Sequence, residues 1–98
     1  MRFEWDARRN RSNEVKHGID FDTAALVFSD PFHLSVLDRR ASFEERWQTT
    51  GLVHGIVLVL VAHTVTDLDG EEIVRILRNL TEAEQRARPG KSPSNSPT

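Results

Sequence analysis

The sequence predicts an α+β domain in which two helices precede a run of antiparallel strands and a last helix follows them. Three observations carry this. A polar segment of helical length, 7–17, stops at Gly18. Phe21, Ala24, Ala25 and Phe28 then recur at i, i+3, i+4 and i+7, which is a core-facing helical stripe. From residue 32 onward the pattern changes to alternating or continuous apolar runs of strand length, separated by turn residues.

The elements follow in order. "RFEW" (2–5) alternates polar and apolar residues and reads as a short first strand. Asp6 can cap the helix after it, because its carboxylate accepts from the unpaired N–H groups of a first turn. "ARRNRSNEVKH" (7–17) has few apolar residues, chiefly Ala7 and Val15, so it lies at the surface with a thin contact stripe. Gly18 is a natural stop, since it takes a left-handed conformation without steric penalty. Lys16 and His17 then fall in the last turn, where a cation complements the helix dipole. Asp20 or Asp22 can cap a second helix over 21–28, which Asp30-Pro31 ends.

Strands are expected over 32–37, 43–51, 54–64 and 71–77, with a polar loop at 38–42 and a turn at 65–70. "HGIVLVLVAHT" is apolar throughout, as a strand covered on both faces must be. In 71–77, Ile73, Arg75 and Leu77 share one face, and Val74 and Ile76 the other. Thr81 followed by Glu84 is a capping box, so a last helix is expected over 80–88. The domain is therefore 1–88, and the Pro/Ser-rich 89–98 reads as a disordered tail.

Composition narrows the function. The 98 residues suffice for one small domain. There is no cysteine, hence no disulfide framework and no thiolate chemistry. The N-terminus has no apolar core of a secretory signal. The longest apolar run, 56–62, is far below the ~18 residues of a membrane helix. A cytoplasmic protein is expected. His17, His33, His54 and His63 lack metal-helix spacing, and no nucleophile elbow, phosphate loop or dinucleotide turn is present. No cofactor is expected.

Net charge is −2, which argues weakly against a nucleic-acid binder. The charge is uneven, however. Residues 1–17 hold Arg2, Arg8, Arg9, Arg11 and Lys16 against Glu4, Asp6 and Glu14. Residues 75–98 hold Arg75, Arg78, Arg86, Arg88 and Lys91 against Glu82 and Glu84. If the two ends meet in space, a basic face forms on an acidic molecule. Arg46, Arg75 and Arg78 lie in or beside strands, where a guanidinium fork can hold phosphate, and Trp47 or Trp5 can stack a base. On spacing alone the plainer reading wins: an arginine in a strand pairs across to Glu44 or Glu45, or lays its stem over a neighbour.

A longer pattern decides between these readings. "EWD" (4–6), Arg9, Asn13 and "KHGI" (16–19) are followed by Phe21, Ala24, "VF" (27–28) and "DP" (30–31). "ERW" (45–47), Gly51, "HT" (63–64) and "VRIL" (74–77) complete it. Over residues 2–88 this resembles the BrnT family of type II toxins, themselves similar to RelE-type ribonucleases. The resemblance implies a curved antiparallel sheet with two N-terminal helices packed on it and a C-terminal helix. It implies a ribonuclease that cleaves RNA without metal and inhibits translation. A BrnA-like antitoxin neutralises it, DNA is contacted only through the antitoxin, and a homodimer within a heterotetramer is possible. It assigns charge stabilisation at the phosphate to Arg46, Arg75 and Arg78, acid–base work to His17 or Lys16, and RNA contacts to Trp47, Arg9 and Asn13. Glu45 is a lesser candidate for the base. The family usually carries an arginine after the long apolar strand, where "HTVTDLDG" has none. The alternative implied is a catalytically weakened homologue that binds an antitoxin within an autoregulatory repressor complex.

Overall fold

A computed structural model describes residues 1–38 and 45–81. Strand β1 (Arg2–Glu4) leads into helix α1 (Ala7–His17). Asp6 caps that helix, its Oδ1 accepting from the backbone N–H of Arg8 at 2.8 Å and of Arg9 at 3.3 Å. These two donors hold the Asp6 carboxyl below the usual carboxylate range. Gly18 ends the helix at φ 79°, and its N–H donates to the Glu14 carbonyl at 2.8 Å.

The second helix is shorter than the spacing predicts. One α-helical turn, α2 (Phe21–Ala24), is capped by Asp20 and passes into a 3-10 helix, Ala25–Ser29. The tighter winding shifts the buried stripe. Phe21, Ala24 and Val27 are fully buried, a spacing of three, while Ala25 and Phe28 are half-buried against the same core.

The sheet has five strands: β1, β2 (Leu34–Asp38), β3 (Arg46–Val53), β4 (Val57–Leu68) and β5 (Glu71–Thr81), in the spatial order β1-β5-β4-β3-β2. It is mixed rather than antiparallel throughout, because β1 pairs in parallel with β5. The helices between β1 and β2 carry the chain to the opposite edge of the sheet, and β2 to β5 then lead back to β1. β4 continues to Leu68 across the expected turn, and the hairpin closes through Asp69 and Gly70, both at positive φ, as a tight two-residue hairpin requires. Its middle, 59–63, is buried on both faces.

The largest difference is at the end of β5. Leu80 and Thr81, expected to open the last helix, pair in the sheet opposite Leu60 and Val59. Long-range pairing with the apolar β4 extends the strand beyond 77 to Thr81. The rest of that helix, 82–88, and the tail lie outside the described residues, as do 39–44 of the loop and third strand. A bulge also interrupts β5: Arg78 faces Ala62, but Ile76 faces His63, leaving Leu77 as the extra residue.

The core lies between the helices and one sheet face. Phe21, Ala24 and Val27 meet Val53, Val59, Val61, Val74 and Ile76. The sheet approaches the 3-10 helix closely at Gly51. A Cβ there would stand 3.1 Å from both Val27 Cγ1 and the Val27 carbonyl oxygen, and 3.2 Å from Asp30 Oδ2. Asp30 fastens the same junction, its carboxylate accepting from the N–H groups of Phe32 and Leu52 at 2.9 and 2.8 Å.

Candidate functional site

β1 covers β5 only from Ile73 to Arg75, so the upper part of β5 has an open edge. α1 fills it. The Asn79 N–H donates to Asn13 Oδ1 at 3.2 Å, and both the Asn13 and Asn79 amides donate to the Ile19 carbonyl, at 3.4 and 3.2 Å. Asn13 is buried with both ends of its amide engaged, so in this structure it fastens the helix to the strand.

That attachment aims one face of α1 at the strand end. Arg9, Ser12, Asn13 and Lys16 recur at i, i+3, i+4 and i+7, and His17 follows. With Leu77 and Arg78 they line an open cleft of about 280 Å³. Five residues singled out from the sequence, Arg9, Asn13, Lys16, His17 and Arg78, are thus brought together. Four can carry positive charge, and they come from opposite ends of the sequence. The helix C-terminus beneath Lys16 and His17 offsets part of their mutual repulsion.

The bulge decides where the other arginines stand. In a regular strand Arg75 and Arg78, three apart, would face opposite sides. Here Arg78 faces Ala62 and Arg75 faces Thr64, two residues that share one side of β4. Both arginines therefore lie on the sheet face opposite the core that packs on α2 and the 3-10 helix. Arg46 joins them: it pairs with Asp38 and is next to Trp47, which pairs with His63, so it flanks Thr64 from the other side. Two strand spacings separate the Arg46 and Arg75 backbones, roughly 10 Å, within the reach of two guanidinium groups toward one phosphate. Arg75 also holds Glu4 of β1, Nη1 to Oε2 at 3.1 Å, with each side chain about half exposed. Such a half-exposed pair is weak.

Trp47 is placed apart from these cations, on the helix side of the sheet with His63. His63 is 2% exposed, and its Nε2 lies 2.7 Å from Thr49 Oγ1, which lies 2.7 Å from Ser35 Oγ. The Phe28 ring meets its edge at 5.0 Å. Sequence reasoning did not single out this relay, whose only signal is polar residues at inward positions of three strands. Burial lowers the His63 pKa from its ordinary 6.5, more than the nearby Glu72 and the Thr64 backbone raise it. The unfolded chain therefore binds this proton more readily than the folded one. Stability is expected to fall as pH drops from about 6.5 through the lowered folded value, and to be unaffected by this group above that window. Urea midpoints at several pH values check this. His63→Gln should flatten that part of the profile, and an unchanged slope would exclude His63 as its source.

Among the described residues no group of three or more His, Asp or Glu is arranged to hold a metal ion. No helix among them is long and apolar enough to cross a membrane.

The fold and site together define a small α+β protein whose basic groups gather where a helix end meets a strand end. The chain belongs to the family described as ribonuclease toxin, BrnT, of type II toxin-antitoxin system, whose profile matches residues 5–84. Its fold is similar to the crystal structure of the Brucella abortus ribonuclease toxin, BrnT. The TM-score is 0.58 at 19% identity, over 83% of this chain and 95% of that one. No curated protein matches the chain. Family membership makes it a toxin of the ribonuclease type, with an antitoxin as its partner.

Proposed function

We propose that the chain is a cytoplasmic endoribonuclease that cleaves RNA without a metal ion, arrests translation and is neutralised by a BrnA-like antitoxin. The observation that carries this reading is the cleft where Arg9, Lys16 and His17 of α1 meet Arg78 of β5. Arg75 shares a sheet face with Arg78, as the register requires. Metal-free cleavage needs a base to take the 2′-OH proton, cations for the charge that builds on the phosphate, and an acid for the leaving 5′ oxygen. Attack of the 2′ oxygen on the adjacent phosphorus forms one P–O bond and breaks another. The products are a 2′,3′-cyclic phosphate and a 5′-hydroxyl. Arg75, Arg78 and Arg46 supply the cations, Arg9 tracks the RNA backbone, and His17 or Lys16 moves the protons, histidine being suited to both directions near neutral pH. Trp47 lies on the other sheet face, apart from these cations, and takes no part in the cleavage step.

A second reading rests on one observation: Arg75 is ion-paired with Glu4. A chain that keeps this arginine occupied fits a catalytically weakened homologue that binds its antitoxin within a repressor complex. Incubating the purified chain with a synthetic RNA in EDTA separates the two. Fragments ending in cyclic phosphate are expected by mass spectrometry. Cleavage that EDTA abolishes would overturn the metal-free reading. Intact RNA in every condition, with antitoxin binding retained, would establish the second.

A further inference from the structure

The cleft on the helix side of the sheet has the opposite chemistry. Its volume is about 480 Å³, and Glu45, Asp67 and Glu72 line it beside His33, with no lysine or arginine among the described residues. Asp67 and Glu72 stand directly opposite one another in the β4–β5 register. Like charges so placed destabilise a hairpin. None of the three carboxylates has an ion-pair or hydrogen-bond partner among the described residues, and the nearest charge interaction is that of Glu72 with the His63 ring. His63 forms part of the lining and is almost wholly buried, with Nε2 held by Thr49 and Nδ1 without a hydrogen-bond partner. Trp47 and Phe28 supply aromatic walls. Unneutralised carboxylates beside an indole suit a guanidinium or ammonium group, through charge and through the ring face.

We propose that this cleft receives an arginine or lysine side chain from an extended basic segment of a protein partner. Three carboxylates repel a phosphate backbone, so RNA does not fit. A protein is favoured over a free small cation by the strand that borders the cleft. Among the described residues β2 pairs only with β3, and no strand pairs along its other edge. Ser35 of β2 reaches into the cleft, while Leu34 and Val36 on the opposite face are 66% and 55% exposed. A partner strand added to this edge would send alternate side chains into the cleft and over Leu34 and Val36. The inference deepens the partner half of the proposed function and rests on it.

The probe is an eight-residue capped peptide of alternating arginine and valine, titrated into the full chain. Its glutamate–valine counterpart and spermidine serve as comparisons. Tryptophan fluorescence and the His63 ring resonances report the cleft. Saturable binding of the arginine peptide that shifts His63 and weakens with salt is expected, with no binding of the glutamate peptide. Asp67→Asn with Glu72→Gln should weaken binding about 10-fold. The same pair should raise the thermal midpoint, because a like-charge contact is removed. That combination is what a merely structural role would not produce. No shift at His63, or equal affinity in the double variant, would overturn the proposal. Spermidine binding as tightly as the peptide would assign the cleft to free polycations and overturn it too. RNA cleavage by the double variant is expected to be unchanged. An inactive wild-type chain leaves the titration readable, so failure of the nuclease reading and of this one are distinguishable.

Discussion

Arg75→Ala is expected to lower RNA cleavage by about 100-fold, the loss that follows removal of one fixed donor from a developing oxyanion. The register places Arg75 between Arg46 and the β1 edge, on the face it shares with Arg78. Its side chain is about half exposed and its partner Glu4 is at the surface, so the fold should change little, by less than about 0.5 kcal/mol. Arg75→Lys should recover only part of the rate, because an ammonium is a point charge and cannot grip two phosphate oxygens in the plane of a fork. Glu4→Gln is informative in the other direction. Releasing Arg75 from its ion pair should leave cleavage unchanged or faster. Initial rates on one RNA, with circular dichroism as the check on folding, measure all three. An Arg75→Ala protein that is folded and cleaves at the wild-type rate would remove Arg75 from the mechanism.

Phe21→Ala is expected to destabilise the protein by about 3–5 kcal/mol. For a domain of this length that lowers the thermal midpoint by at least ~12 °C. Phe21 is fully buried, and its ring meets Trp5 edge-on at 6.0 Å. Its N–H donates to Asn10 Oδ1 at 2.8 Å, which ties α2 to α1. The truncation thus opens a cavity at the point where both helices meet the sheet. Phe21→Leu should lose much less, since most of the volume is kept. Equal losses for the two variants in calorimetry would show that ring shape, rather than volume, holds the junction.

The two effects differ in how far they could be foreseen. Phe21 is legible as a core residue because a helical stripe announces itself by spacing alone. The arginines were legible only as residue types. Their assembly depends on Leu77, an unremarkable leucine in an apolar strand, being left out of the β-ladder. Read as a regular strand, 71–77 puts Leu77 on the Arg75 face and leaves Arg78 beyond the end. Nothing in the local pattern marks the bulge. Asn13 shows the same limit in reverse. It stands in the family's pattern among residues that suggest RNA contact, and the structure engages both ends of its amide in holding α1 to β5. Its polar side chain was visible in the sequence, but the open strand edge that needs it was not.

By itself the sequence determined what depends on contacts within a few residues. These are the span of α1, its Asp6 cap and Gly18 stop, the identities of the later strands, and the double-sided burial of β4. Their causes are capping hydrogen bonds, backbone sterics and hydrophobic period, all of which act over one or two turns. The tertiary structure decided everything that required one segment to meet another. It paired β1 in parallel with β5, tightened the second helix into a 3-10 turn, and drew Leu80 and Thr81 into the sheet. It also set a cationic cleft at the α1–β5 junction and an acidic cleft on the helix side. Those outcomes follow from long-range pairing and packing, whose free energy exceeds the local preference of any single residue.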